Sequence, residues 1–182
     1  MGAVTAVLLR TPLQRHPAAL GPSITSVRAQ VSRDGGHFKV VFEFSGALEQ
    51  LAFPEGRLDP ARLWEHTCAE LFLGCADGSY VEWNFSPTGQ TTRFGFAEYR
   101  VRTSSSFEEP VQISVARDGR LARLEATGPL LHGVGDARCL GVCAVVRTPD
   151  DACSYWALRH PKAEPDFHDE RGFLLNAALL HS

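Results

Sequence analysis

Apolar side chains recur at every second position in short runs along the chain, turn residues separate the runs, and helical periodicity is almost absent. This pattern predicts an all-β protein of sandwich or barrel type. In HFKVVFEFSG, Phe38, Val40, Phe42 and Phe44 fall on one face, opposite Lys39 and Glu43. SITSVRAQVSR precedes it across Asp34-Gly35-Gly36, so the two runs predict a hairpin with one buried side. VQISVAR and RLARLEA flank Asp118-Gly119 and predict a second hairpin, with Val111, Ile113 and Val115 inward. Further strands are expected at residues 68–74, 80–86, 91–99, 139–148 and 154–159, with Ser86-Pro87-Thr88-Gly89 as a tight turn. Residues 12–22 read as a proline-rich loop, and RHPKAEPDFHDERGF as a long irregular excursion. With no internal repeat and no linker composition, one domain is expected over residues 1–182.

Parity sorts the polar residues within the central runs. In LWEHTCAELFL, Trp64, His66, Cys68, Glu70 and Phe72 share one face of an extended segment, and Thr67, Ala69, Leu71 and Leu73 share the other. In YVEWNFSPTG, Val81, Trp83 and Phe85 oppose Tyr80, Glu82, Asn84 and Ser86. In TTRFGFAEY, Arg93, Gly95, Ala97 and Tyr99 oppose Thr92, Phe94 and Phe96. Each run thus offers an apolar face for a core and a second face carrying Glu70, Glu82, Asn84 or Arg93. That second face is either plainly solvated or the concave floor of a ligand site, since it pairs few charges with aromatic and small residues. Phe72 fits neither reading well: if it is buried beside Glu70, the second face is a packed layer and any pocket is smaller.

Composition narrows the classes. The chain has 182 residues, 44% hydrophobic and 21% charged, enough for a full core without a metal or a disulfide. Its 18 basic and 21 acidic residues are mixed along the chain, which argues against a nucleic-acid partner. No basic stretch precedes the N-terminal apolar run, which ends at Arg10, so neither a signal peptide nor a membrane anchor is expected and the protein reads as cytoplasmic. Cys68, Cys75, Cys139, Cys143 and Cys153 form no CxxC motif and read as small thiols of a reducing compartment.

Two site chemistries are open. Tryptophan offers a flat apolar surface that suits the C–H face of a sugar ring, and carboxylate, amide and guanidinium groups complement hydroxyls. Trp64, Glu70, Asn84, Arg93 and Trp156 form such a set, with Glu82 beside them. Alternatively His160, Asp166 and His168 of the terminal segment, with His66, could serve a metal-dependent or hydrolytic enzyme. A protein-interaction module is a third reading.

LWEHTCAELFLG, YVEWNFSPTGQ, YWALRHP and PDFHDERGF together resemble the DOMON-like proteins of the carbohydrate-binding module family 9 group. The resemblance implies a jelly-roll-type antiparallel β-sandwich with a concave ligand-binding face, and a non-enzymatic domain that recognises a small saccharide or sugar-like metabolite. It casts Trp64 and Trp156 as a clamp on the sugar ring, Glu70 as the hydrogen-bonding acid, Arg93 as the strand arginine and Asn84 as the amide. His160, Asp166 and His168 join as loop residues. No cofactor is expected: the loops lack the acid cluster of a calcium site, and the single methionine, Met1, leaves no methionine–histidine pair for haem.

Overall fold

Short turn chemistry and side-chain alternation build the protein strand by strand. It is described here from a computed structural model covering residues 6–18, 24–107, 109–129 and 137–175. The strands are β1 (Ala6–Pro12), β2 (Gln14–Arg15), β3 (Ile24–Asp34), β4 (His37–Gly46), β5 (Cys68–Cys75), β6 (Tyr80–Phe85) and β7 (Thr91–Glu98). They continue as β8 (Val101–Ser106), β9 (Gln112–Asp118), β10 (Leu121–Pro129), β11 (Ala137–Arg147), β12 (Cys153–Ala157) and β13 (Leu174–Leu175). A five-stranded sheet runs β1-β3-β4-β10-β9; an eight-stranded sheet runs β2-β12-β11-β5-β6-β7-β8, with β13 added to β11. The fold is an antiparallel β-sandwich.

Both expected hairpins form. Asp34 pairs with His37, so Gly35 and Gly36 make the two-residue turn between β3 and β4, with Gly35 at φ +56°. Leu121 pairs with Asp118 across the turn from β9 to β10. The Ser86–Gly89 turn closes with Gly89 N–H donating to Ser86 O at 3.0 Å. Four strands were not anticipated: β1, within the N-terminal apolar run, the two-residue β2 and β13, and β8, where Arg100 adopts φ +60° and lets the chain reverse after β7. Of the proline-rich stretch, residues 12–18 carry the end of β1 and all of β2; residues 19–22 lie outside the described residues.

The main core lies between the sheets. Val27, Val40, Phe42, Phe44 and Leu124 from the smaller sheet meet Ala69, Leu71, Trp83, Phe85 and Val142 from the larger. The alternation in β5 and β6 is as read from sequence. The other face of the larger sheet is also buried, under a second apolar cluster that includes Phe72, Tyr80, Phe94, Phe96 and Phe173. Phe72 is fully buried, so this outer face is a packed layer with a restricted cavity in it.

Candidate functional site

Two irregular segments cover the outer face of the larger sheet. The first is a 3-10 helix at Pro60–Glu65. Asp59 caps it, accepting from Ala61 N–H at 2.9 Å, and Pro60 supplies a preset φ at its start. Thr92 on β7 donates to Pro60 O at 2.6 Å, and Leu63 is fully buried. These contacts set Trp64 edge-on to Phe94, with ring centroids 5.7 Å apart. The expected extended geometry therefore does not reach Trp64, which arrives at the site on a helical turn. His66 ends that turn, its backbone N–H donating to Leu63 O at 3.1 Å.

The second cover is the segment before β13. Asp166 ties it down, accepting from Tyr99 Oη at 2.5 Å, Lys162 Nζ at 2.6 Å and Arg100 Nη2 at 2.9 Å. Burial alone would raise the Asp166 carboxyl, but these donors hold it well below the usual carboxylate range. Phe173 lies on Gly141, where a Cβ would stand 2.5 Å from its ring, so β11 needs glycine at that point. His168 packs on Phe72 and Phe96, with centroids 5.4 and 5.1 Å away. Its Nδ1 is hydrogen-bonded to Tyr80 Oη at 2.8 Å, and the same tyrosine oxygen accepts from Arg100 N–H at 2.9 Å. Burial, then the Arg100 charge, holds His168 at a pKa of about 4, so the ring is neutral at neutral pH. With Asp166 and His168 both bonded to the sheet, the segment is a wall of the site.

Between these covers is a cavity of about 330 Å³. Trp64 enters from the β7 side, while Tyr155 on β12 and Phe167 stand at the other side; Glu70 on β5 and Glu82 on β6 form the floor between them. The register pairs Glu70 with Asn84 and Phe72 with Glu82, so the two acids are diagonal neighbours. Arg100, Arg102 and Arg147 also line the cavity. Arg102 lies over the Phe94 ring, its guanidinium carbon 4.0 Å from the centroid.

The floor is electrostatically unusual. Glu70 is 3% exposed; Oε2 accepts from Cys143 Sγ at 3.5 Å, while Oε1 is buried without a hydrogen-bond partner. Burial first, and the Glu82 charge second, push its carboxyl well above the ordinary range. Burial also raises Glu82, opposed by the Asn84 amide, which donates to Oε1 at 2.6 Å, and by Arg102 and Arg100. A carboxyl that keeps its proton more readily, beside a hydrogen-bonded Glu82, offers a donor as well as acceptors to a hydroxyl-rich ligand.

Of the residues singled out by sequence, the structure brings Trp64, Glu70, Glu82 and His168 to the cavity. Asn84, fully buried, lies beneath it and orients Glu82. Trp156 does not face Trp64: it is 4% exposed in the inter-sheet core and donates to Ser154 Oγ at 3.0 Å. Its place opposite Ala144 puts it on the inner face. Arg93 is likewise on the inner-face side, paired with Trp83 across β6 and β7 and bridged to Glu109 at 2.8 Å. His160 Nε2 is 2.8 Å from Gln14 O, and Asp166 acts through the wall. Among the described residues, no group of three or more His, Cys, Asp or Glu side chains could hold a metal ion, so the convergence of His66, His160, Asp166 and His168 does not occur. Sequence reasoning missed Tyr155, Phe167, Arg100, Arg102 and Arg147. Tyr155 was within reach: if Trp156 is inward, parity turns Tyr155 outward.

No protein-family model matches the chain, and no curated protein matches it. Among solved structures, the chain is similar to one described as a "putative carbohydrate-binding protein from Bacteroides uniformis ATCC 8492". The TM-score is 0.61 at 16% identity, over 88% of this chain and 84% of that one, a likeness of fold.

Proposed function

We propose that the protein binds a small saccharide or sugar-like metabolite in the cavity on the outer face of the larger sheet, as a ligand-binding domain that leaves its ligand chemically unchanged. One observation carries the reading: a 330 Å³ cavity with aromatic side walls has Glu70 in its floor, and Oε1 of that carboxyl is buried without a hydrogen-bond partner. Such a volume is at the lower end of small-molecule sites, roughly 300 to 1,000 Å³. A buried polar atom without a partner is costly, and a ligand hydroxyl would satisfy it. Trp64 on one side, with Tyr155 and Phe167 on the other, would take the ring faces of the sugar in place of a paired-tryptophan clamp. The carbohydrate-binding description of the structural neighbour supports the ligand class, and the resemblance to carbohydrate-binding module family 9 agrees with it.

Isothermal titration against mono- and disaccharides, including amino sugars, tests the proposal. We expect at least one to bind, and Trp64→Ala with Tyr155→Ala to weaken it roughly tenfold or more, given the size of aromatic contact terms. Absence of binding across the panel, or binding unchanged in the double variant, overturns the reading.

A further inference from the structure

The cations around the cavity are not all neutralised by protein. Glu65 is bridged to Arg62 at 2.6 Å, Arg147 to Asp151, and Arg100 to Asp166 at 2.9 Å. Arg102 differs: among the described residues it has no carboxylate within ion-pair distance, and its guanidinium rests on Phe94, with Trp64 at 5.7 Å and Phe96 at 5.8 Å. Stacking on an aromatic face fixes the plane of a guanidinium and leaves its edge N–H groups open, a fork that matches two oxygens of an anionic group. Glu82 is near enough for its charge to be felt by Arg102, but Glu82 Oε1 is already held by Asn84. Around this end of the site Arg100 and Lys162 pair with Asp166, and Arg171 pairs with Asp169, which leaves Arg102 as the cation without a carboxylate partner among the described residues.

A second, independent observation points the same way. Arg147 Nε, on the opposite wall, is a buried donor without a partner. It requires an acceptor, as Glu70 Oε1 requires a hydroxyl.

We infer that the ligand is an acidic sugar, whose carboxylate or phosphate oxygens are held by the Arg102 fork while its hydroxyls meet Glu70 and its remaining oxygens reach Arg147 Nε. This inference rests on the saccharide reading above and adds the charge of the ligand. An ammonium-bearing sugar would meet three arginines in the lining, and a neutral sugar would leave the Arg102 fork unfilled.

Titration of the full chain with matched pairs decides it: glucuronate and glucose 6-phosphate against glucose, and galacturonate against galactose. At least one anionic sugar is expected to bind roughly tenfold or more tightly than its neutral match, the size of charge-assisted hydrogen bonds, with affinity falling as salt rises. The two anionic arms separate carboxylate from phosphate. R102Q is expected to bring the anionic-to-neutral affinity ratio close to one, and R102K, which keeps the charge but loses the fork, to fall between. The wild-type ratio and its salt dependence stand even if a variant fails to fold. Anionic sugars that bind no better than their neutral matches, or a preference that survives R102Q, overturn the inference and leave the saccharide reading intact. If none of these sugars binds but others of the earlier panel do, the acidic-sugar inference alone falls; if nothing binds, both fall.

Discussion

On the outer face of the five-stranded sheet, Lys39, Glu43, Arg123 and Glu125 stand in water. Lys39 bridges Glu125 at 2.5 Å, and Arg123 bridges Glu43 at 3.3 Å and Glu125 at 3.0 Å, all with partly exposed side chains. On the outer face of the eight-stranded sheet, Glu70, Glu82 and Asn84 occupy the corresponding alternate positions but are buried beneath Trp64, Phe167, His168 and Phe173. Two glutamates show the consequence. Burial raises Glu125, but the hydrogen bonds and charges of Lys39 and Arg123 together outweigh it and hold the carboxyl below its ordinary pKa; Glu70, fully desolvated and without a cation partner among the described residues, lies well above. The same residue type on the same kind of strand thus loses its proton more readily or less readily according to what lies over it.

The largest break in this comparison should come from Phe72→Ala. Phe72 packs against Phe173, His168 and Tyr80 in the covered layer, and its truncation should cost about 3–5 kcal/mol in denaturant unfolding. A loss no larger than that of an exposed residue would mean that the cover is loosely attached. An intermediate effect is expected from Glu70→Gln, which keeps the shape and removes the ionisable group. Because burial raises the native carboxyl above its unfolded value, wild-type stability relative to the variant is full below about pH 4.5 and declines as pH rises from there through the native pKa. At pH 7 the variant should therefore be more stable by about 1–2 kcal/mol, with a gap that closes in acid. A pH series of urea melts reads this directly, and a gap that widens in acid would refute the raised pKa. The smallest effect belongs to the solvated face, where Arg123→Ala should change stability by less than about 1 kcal/mol and the difference should shrink in salt.

Much of the architecture was legible because its causes are local. Gly35 and Gly119 permit the positive φ values of tight hairpins, and period-two alternation put Leu71, Trp83 and Phe44 on core faces. The misplacements of Arg93 and Trp156 share one cause. Parity sorts a strand into two faces but does not say which face meets the other sheet. In β7, Phe94 and Phe96 looked like core, and they are buried, but on the outer face with Glu82; this sends Arg93 inward to Trp83. In β12, pairing with Ala144 turns Trp156 inward and gives Tyr155 to the cavity. Trp64 escaped the strand reading because Asp59-Pro60 starts a helical turn at that point.

The sequence by itself determined that the chain folds as antiparallel β-structure, where its hairpins turn, and that Glu70 and Glu82 share a face opposite an apolar one, since each depends on contacts a few residues apart. Only the tertiary structure decided that this face is covered. Its cover comes from Pro60–Glu65 and from the segment carrying Asp166, His168 and Phe173, brought together by Tyr99, Arg100 and Tyr80 across many residues of chain. Desolvation is a property of that assembly, and it makes an alternating polar strand into the floor of a cavity.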